Sequence, residues 1–235
     1  MPEVNRHDQR VGNLVPGWSP RPRPDRVVLA GRYVALEPVG IEHAADLHAT
    51  LCGPGDHSLW TYRPTDPPAD IAGLGVMLDD LATSTDTVTW ALVPTDGRAS
   101  GMVTFMRIEP DHGQVEVAAV IYARTLQRTA AATEAIHLSM RYAFDDLGYR
   151  RYEWKCDSLN EPSRRAAARL GFVYEGRFRH HMVTKGRNRD TDWFSVTDSE
   201  WPAVKAAHEQ WLDPANFDAE GRQRTRLSDL TAHQR

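Results

Sequence analysis

Apolar residues recur along the chain with two different periods, and the switches between them outline the elements. Within 27–39, Val34, Leu36 and Pro38 alternate with Tyr33, Ala35 and Glu37, the period of a half-buried strand. Ile41, Ala44, Ala45, Leu47 and Leu51 then follow helical spacing, as do Ile71, Leu74, Leu78 and Leu81. Between these two helices, 60–68 is a proline-rich loop carrying Trp60 and Tyr62. Residues 87–93 and 100–108 read as strands joined by an Asp96-Gly97 hairpin turn, and Asp111-His112-Gly113 turns the chain into a third strand, 114–122. The strongest helix runs over 133–147, with Ile136, Met140, Ala143, Phe144 and Leu147 on one face and Gly148 as its stop.

A strand at 151–157 follows, then a short helix over 162–170 with Pro162 in its first turn and Gly171 just past its end. Strands at 172–183 and 191–197 form a last hairpin, and a helix over 199–212 carries Trp201, Val204 and Trp211. The order β-α-α-β-β-β-α-β-α-β-β-α predicts an α+β fold in which one long helix crosses over between two strands. Gly73-Leu74-Gly75 follows no strand, so it is not a dinucleotide fingerprint. Outside this domain of residues 27–212, residues 1–26 read as an extended arm broken by Pro16, Pro20, Pro22 and Pro24 and pinned through Trp18. Residues 213–235 lose apolar periodicity and read as a polar tail.

Composition narrows the function classes. The 235 residues carry a net charge of −4, which argues against a general nucleic-acid binder. No run of apolar residues is long enough for a membrane helix, and the first ten residues lack a signal-peptide core. Two cysteines, Cys52 and Cys156, exclude a disulfide framework and a cysteine-rich zinc module, which leads to the expectation of reduced thiols in the cytoplasm. His180 and His181 point to opposite faces of a strand and cannot share a metal ion, so no metal is expected. Lys155, Lys185 and Lys205 are the only lysines among 28 basic residues, so forked guanidinium contacts are available wherever an anion binds.

Two junctions could carry chemistry. At Tyr122-Ala123-Arg124-Thr125-Leu126-Gln127-Arg128-Thr129-Ala130-Ala131-Ala132-Thr133 a strand ends and a long helix begins. Helix N-termini present unpaired N–H groups and the positive end of the dipole, and small side chains let an anion approach the backbone. At the second junction, Asn160 stands at an N-cap position, Ser163 lies one turn in, and Arg164, Arg165 and Arg169 give the short helix a basic face. Taken alone, each junction equally fits an ordinary capped helix with solvated arginines.

Together, the strand, loop, long helix, strand, Asn-x-x-Ser, short helix and Gly171-Phe172 resemble the GNAT superfamily of N-acetyltransferases. Within it they look most like the ribosomal-protein N-acetyltransferase branch, with Thr133-Glu134-Ala135 and Trp193-Phe194-Ser195 as further points of likeness. The resemblance covers about 27–212. It implies a mostly antiparallel twisted sheet with a central parallel pair splayed apart, acetyl-CoA as co-substrate, and a primary amine on a small molecule or peptide as acceptor. It implies that the pantetheine arm pairs with the backbone of Ala119, Val120 and Ile121. The pyrophosphate would sit at the helix start that Gln127, Arg128, Thr129, Ala130, Ala131, Ala132 and Thr133 form. Asn160 would reach the pantetheine, and Arg164 or Arg165 the adenosine 3′-phosphate. The family pattern has glycine where Ala130 stands, and a methyl group there costs about 1–2 kcal/mol if the backbone must be left-handed.

Amine acetylation needs a base, a polarised thioester and an acid for the departing thiolate. By the same resemblance Glu116 is the candidate base and Ser163 the candidate acid; otherwise they are an outward charge on an alternating strand and a first-turn serine. Trp60, Tyr62, His180 and Trp193 are candidates to line the acceptor site. Neutralising a lysine-type amine at pH 7 costs about 4.6 kcal/mol, against about 1–1.4 kcal/mol for an α-amine, so one carboxylate base suits an α-amine better. A non-catalytic acyl-CoA-binding or partner-binding module on the same fold is the alternative. The apolar anchors Trp18, Trp201 and Trp211 fit packing within the chain or between chains, and because related enzymes are often homodimers a homodimer is expected.

Overall fold

The computed structural model describes residues 3–95 and 97–232. Asp96 of the expected hairpin turn lies outside the described residues; Gly97 takes φ +79° and donates its N–H to Pro94 O at 2.8 Å. Two short strands, β1 (Glu3–Val4) and β2 (Arg10–Val11), pair with each other near the N-terminus. The main sheet takes β3 (Leu29–Ala30), β4 (Val34–Pro38), β5 (Val88–Pro94), β6 (Gly101–Glu109), β7 (Gln114–Tyr122), β8 (Arg151–Asp157), β9 (Val173–Thr184) and β10 (Arg187–Thr197). Its order is β3-β4-β5-β6-β7-β8-β10-β9, and every pairing is antiparallel except β7–β8.

The long helix supplies the crossover that a parallel pair requires. Helices α1 (Ala44–Leu51), α2 (Ile71–Thr83), α3 (Ala130–Arg141), α4 (Glu161–Arg169), α5 (Trp201–Leu212) and α6 (Leu227–Leu230) cover the sheet. Val88 to Leu92 are all buried in β5, so both faces of the sheet are covered there. The crossover helix starts a turn before the expected residue 133. Thr129 caps it, accepting the Ala132 N–H at 3.2 Å, and the alanines of that first turn carry no periodic signal. It gives way after Arg141 to a π-helical turn, Tyr142–Asp146.

Both terminal segments are more ordered than their composition announces. The arm runs extended along the domain's own surface. Trp18 donates its indole N–H to Asp111 O at 3.0 Å, Arg21 N–H reaches Pro110 O at 3.0 Å, and Tyr149 donates its hydroxyl to Pro22 O at 3.1 Å. The segment read as a polar tail packs through Phe217, which lies edge-on to Trp211, and through Leu227, which is fully buried. These anchors stand ten residues apart in sequence, too far to leave a periodic pattern.

Glu134 joins the crossover helix to the start of the sheet. Its Oε1 accepts Arg32 N–H at 2.9 Å, and its Oε2 accepts Tyr33 N–H at 2.6 Å and Val34 N–H at 3.1 Å. A Cβ on Gly31 would lie 2.5 Å from that Oε2, so the turn between β3 and β4 closes only on glycine.

A second buried contact sets the acid limit of the fold. His137 on α3 and His208 on α5 lie with ring centroids 5.6 Å apart, and His208 Nε2 donates to Leu170 O at 3.0 Å. Burial, with Arg141 and Lys205 nearby, lowers His137 from 6.5 to about 4; burial, with His137 and Arg169 nearby, lowers His208 from 6.5 to about 3. Both rings are therefore neutral in the folded chain, and below pH 6.5 the unfolded chain binds up to two more protons. Stability is full above that pH and falls below it by at most about 2.7 kcal/mol per pH unit. The expected urea midpoint is level above pH 7.5 and drops steeply between pH 6 and 4.5; a level profile down to pH 5 would contradict this account.

Candidate active site

β7 and β8 pair only from Gln114↔Arg151 to Val117↔Trp154, although both strands continue. The cause lies on the other side of β7. Between Thr104↔Ala118 and Met102↔Ile121, β7 uses three steps where β6 uses two, a bulge with Ala119 at φ +51°. The bulge bends β7 away from β8, so the gap-facing backbone groups of both strands lose a strand partner. Val120 and Ile121 on one side and Trp154 on the other open into a groove of ≈ 1350 Å³.

The N-terminus of α3 faces the same groove through Gln127, Arg128, Thr129, Ala130, Ala132 and Thr133. Arg128 is the left-handed residue of this loop, at φ +65°, whereas Ala130 opens the helix and is not among the residues with positive φ. Its methyl group therefore carries no backbone strain. Arg165, Arg169 and Arg222 add cationic groups to the lining. Arg169 donates to Thr133 Oγ1 at 3.1 Å and lies over the Trp211 ring, and burial lowers its pKa. Helix-start amides and four guanidinium groups in one groove fit a polyphosphate.

Asn160 and Ser163 are brought together at the groove. Asn160 Oδ1 accepts Ser163 N–H at 3.2 Å, and Ser163 Oγ accepts the Trp154 indole N–H at 3.0 Å. The second bond ties α4 to β8 at the point where the strands part, and the serine hydroxyl, which lines the groove there, also lies beside the Cys156 thiol. Burial raises the Cys156 thiol to about 11, so it is no ready nucleophile. Arg164 turns from the groove: its Nε lies 2.7 Å from Asp192, which Arg177 also holds at 2.6 Å.

Glu116 is not the outward charge of an alternating strand; only 4% of its side chain is exposed. Its Oε2 is shared by Arg107 and by Lys155 Nζ at 3.0 Å, and Lys155 also holds Glu153 at 2.8 Å. A base role for that oxygen requires both cations to move. Lys155 lies 3.6 Å from the centre of the Trp193 ring, and Phe178 and His181 pack on the same indole. Of the remaining acceptor candidates, Trp60 is buried and anchors its loop by an N–H bond to Leu51 O at 2.8 Å. Tyr62 is exposed and donates its hydroxyl to Leu159 O at 3.0 Å; His180 is exposed, at φ +51°, with its N–H on Asp190 Oδ1.

The basic lining residues Arg169 and Arg222 and the buried pair Glu153–Lys155 were not singled out as site residues from sequence. Arg169 was visible as part of a basic helix face, whereas Arg222 sits in the segment read as tail. No group of three His, Cys, Asp or Glu side chains among the described residues is placed to hold a metal ion, and none of their helices is long and apolar enough to cross a membrane.

A parallel pair parted by a bulge, with a helix N-terminus at its mouth, offers open backbone for an extended chain and amides for a phosphate. The model of the acetyltransferase (GNAT) domain matches residues 34–173, more than half of the chain, and the chain belongs to that family. It is 45% identical to a GCN5-related N-acetyltransferase from Brucella melitensis, whose crystal structure superposes with a TM-score of 0.90 over 93% of this chain and 100% of that one. A probable GNAT acetyltransferase from Chromobacterium violaceum is 35% identical, with a TM-score of 0.77 over 86% of this chain and all of that one. Among curated relatives, the "Putative ribosomal N-acetyltransferase YdaF" of Bacillus subtilis (strain 168) is 27% identical over 110 residues. That stretch is 47% of this chain and 60% of the relative.

Proposed function

We propose that the chain transfers the acetyl group of acetyl-CoA to a primary amine, directly and within a ternary complex. The observation that carries this reading is the opening beyond Val117 and Trp154, on which the amides of α3 and the Ser163 hydroxyl both converge. The pyrophosphate is assigned to the helix start from Arg128 to Thr133 with Arg165 and Arg169 beside it, and the pantetheine to the unpaired edge of Ala119, Val120 and Ile121. The amine nitrogen attacks the thioester carbonyl carbon, the C–S bond breaks with its electron pair going to sulfur, and the nitrogen gives up its proton to water in the gap. Ser163 protonates the thiolate and regains a proton from solvent.

The acceptor is assigned to the opposite mouth of the gap, near Trp193, Tyr62 and the buried carboxylates Glu116 and Glu153. Those carboxylates already hold Arg107, Arg151 and Lys155, so the amine enters best as the neutral form, which an α-amine reaches most easily. Isothermal calorimetry with acetyl-CoA, followed by thiol release over a panel of peptides and small amines, tests the reading. Micromolar to millimolar binding is expected, with thiol release that depends on the amine and is faster for peptide N-termini than for lysine side chains. Binding without release over the whole panel would favour a non-catalytic module instead.

A further inference from the structure

Cations around the gap are matched with carboxylates: Arg107 and Lys155 with Glu116, Arg151 with Glu153 and Glu175, Arg164 and Arg177 with Asp192. Among the described residues Arg63 has no such partner; Arg169, also without one, is bonded to Thr133 at the helix start and belongs to the phosphate end. Arg63 lies in the proline-rich loop, with its guanidinium carbon 5.0 Å from the centre of the Trp60 ring. Its Nη1 donates to the carbonyl of Ala119, the bulge residue, at 2.7 Å, while its Nε is buried with no partner. Among the described residues no carboxylate pairs with it; Asp66, three residues on, is held by Lys185 at 2.7 Å. Burial alone lowers its pKa to about 10.

The placement gives this unmatched charge a direction. Tyr62, the preceding residue, bonds to Leu159 just past β8, so residues 62 and 63 span the two strands where they part. A buried guanidinium without a counter-ion is costly, and its planar fork is shaped for a carboxylate. The missing anion therefore belongs to something that enters the gap.

We infer that Arg63 recognises a carboxylate carried to the transfer point by a substrate, either on the amine acceptor or at the far end of the acyl chain. The inference rests on the acyl-transfer reading and adds the charge class of the substrate. Charge-assisted bonds of this kind correspond to roughly 10- to 100-fold in affinity or rate.

Two matched pairs of probes separate the sources. Succinyl-CoA and butyryl-CoA differ at the chain end by a carboxylate against a methyl group, and their dissociation constants need no turnover. An amino acid and its amide, each offered with acetyl-CoA, differ by a carboxylate on the acceptor and are compared by kcat/KM. The expected result is a preference of at least about tenfold for the anionic member of one pair. That preference should be lost in Arg63→Met and partly kept in Arg63→Lys, which also serves if the methionine variant does not fold. Preference within the thioester pair assigns the carboxylate to the acyl chain; preference within the acceptor pair assigns it to the amine substrate. Thioester binding with no preference in either pair, or a preference unchanged in Arg63→Met, overturns the inference and leaves the transfer reading standing. Failure of every acyl-CoA to bind overturns both.

Discussion

Replacing Ser163 with alanine is expected to lower kcat by about 10²- to 10⁴-fold while leaving acetyl-CoA affinity nearly unchanged. The hydroxyl stands on the first turn of α4, positioned by the Asn160 cap and by the indole N–H of Trp154 at 3.0 Å. Because the indole donates to Ser163 Oγ, the serine proton is free for a thiolate in the groove, in competition with the Cys156 sulfur beside it. The same substitution orphans the buried Trp154 N–H, which costs about 1–3 kcal/mol of stability. Rates therefore need to be taken well below the melting temperature. Threonine restores a hydroxyl at the same position and should recover much of the rate. A loss in Ser163→Ala that stays within about tenfold would reduce the serine to a bonding partner of Trp154.

Glu134→Ala is expected to destabilise the fold by about 3–4 kcal/mol. One carboxylate satisfies three consecutive backbone N–H groups, those of Arg32, Tyr33 and Val34, at the turn between β3 and β4. Arg32 is exposed, so water can take its N–H, but Val34 is buried and its N–H loses its acceptor. Glu134→Gln should lie between: its carbonyl oxygen can still take the Tyr33 and Val34 N–H groups, but its NH₂ then faces the Arg32 N–H, donor against donor. Thermal unfolding is the measurement, with a fall of roughly 10 °C expected for alanine and about half of that for glutamine. A fall of less than about 3 °C for alanine would show that solvent replaces the carboxylate at no great cost.

Glu134 also marks the limit of what sequence could tell. Its place beside Thr133 and Ala135 helped to identify the family, yet nothing in its spacing told that it caps a turn a hundred residues earlier. Local signals are strong in the central strands: the alternation in 114–122 and 151–157 coincides with their observed bounds. Asn160 and Pro162 located the short helix to within one residue. What stayed hidden depends on contacts between distant segments. The bulge at Ala119 has no local mark, because alanine does not favour the left-handed backbone that it takes there. Arg164 and Arg165 were equivalent in a basic run, and only Asp192 on β10 distinguishes them, holding one and leaving the other on the groove. Glu116 was legible as a position, but not as a carboxylate held by two cations.

The parting of β7 and β8 has a consequence for how the backbone exchanges its hydrogens with water. Central strands normally shelter every amide, since each is bonded to one neighbouring strand or the other. On β8 the bonds to β10 persist to Asp157, while the side facing the gap is open beyond Trp154. Protection along 155–157 should therefore alternate from one amide to the next, slow toward β10 and fast toward the gap. The fast set lies in the middle of an eight-stranded sheet, where a continuous ladder would allow none.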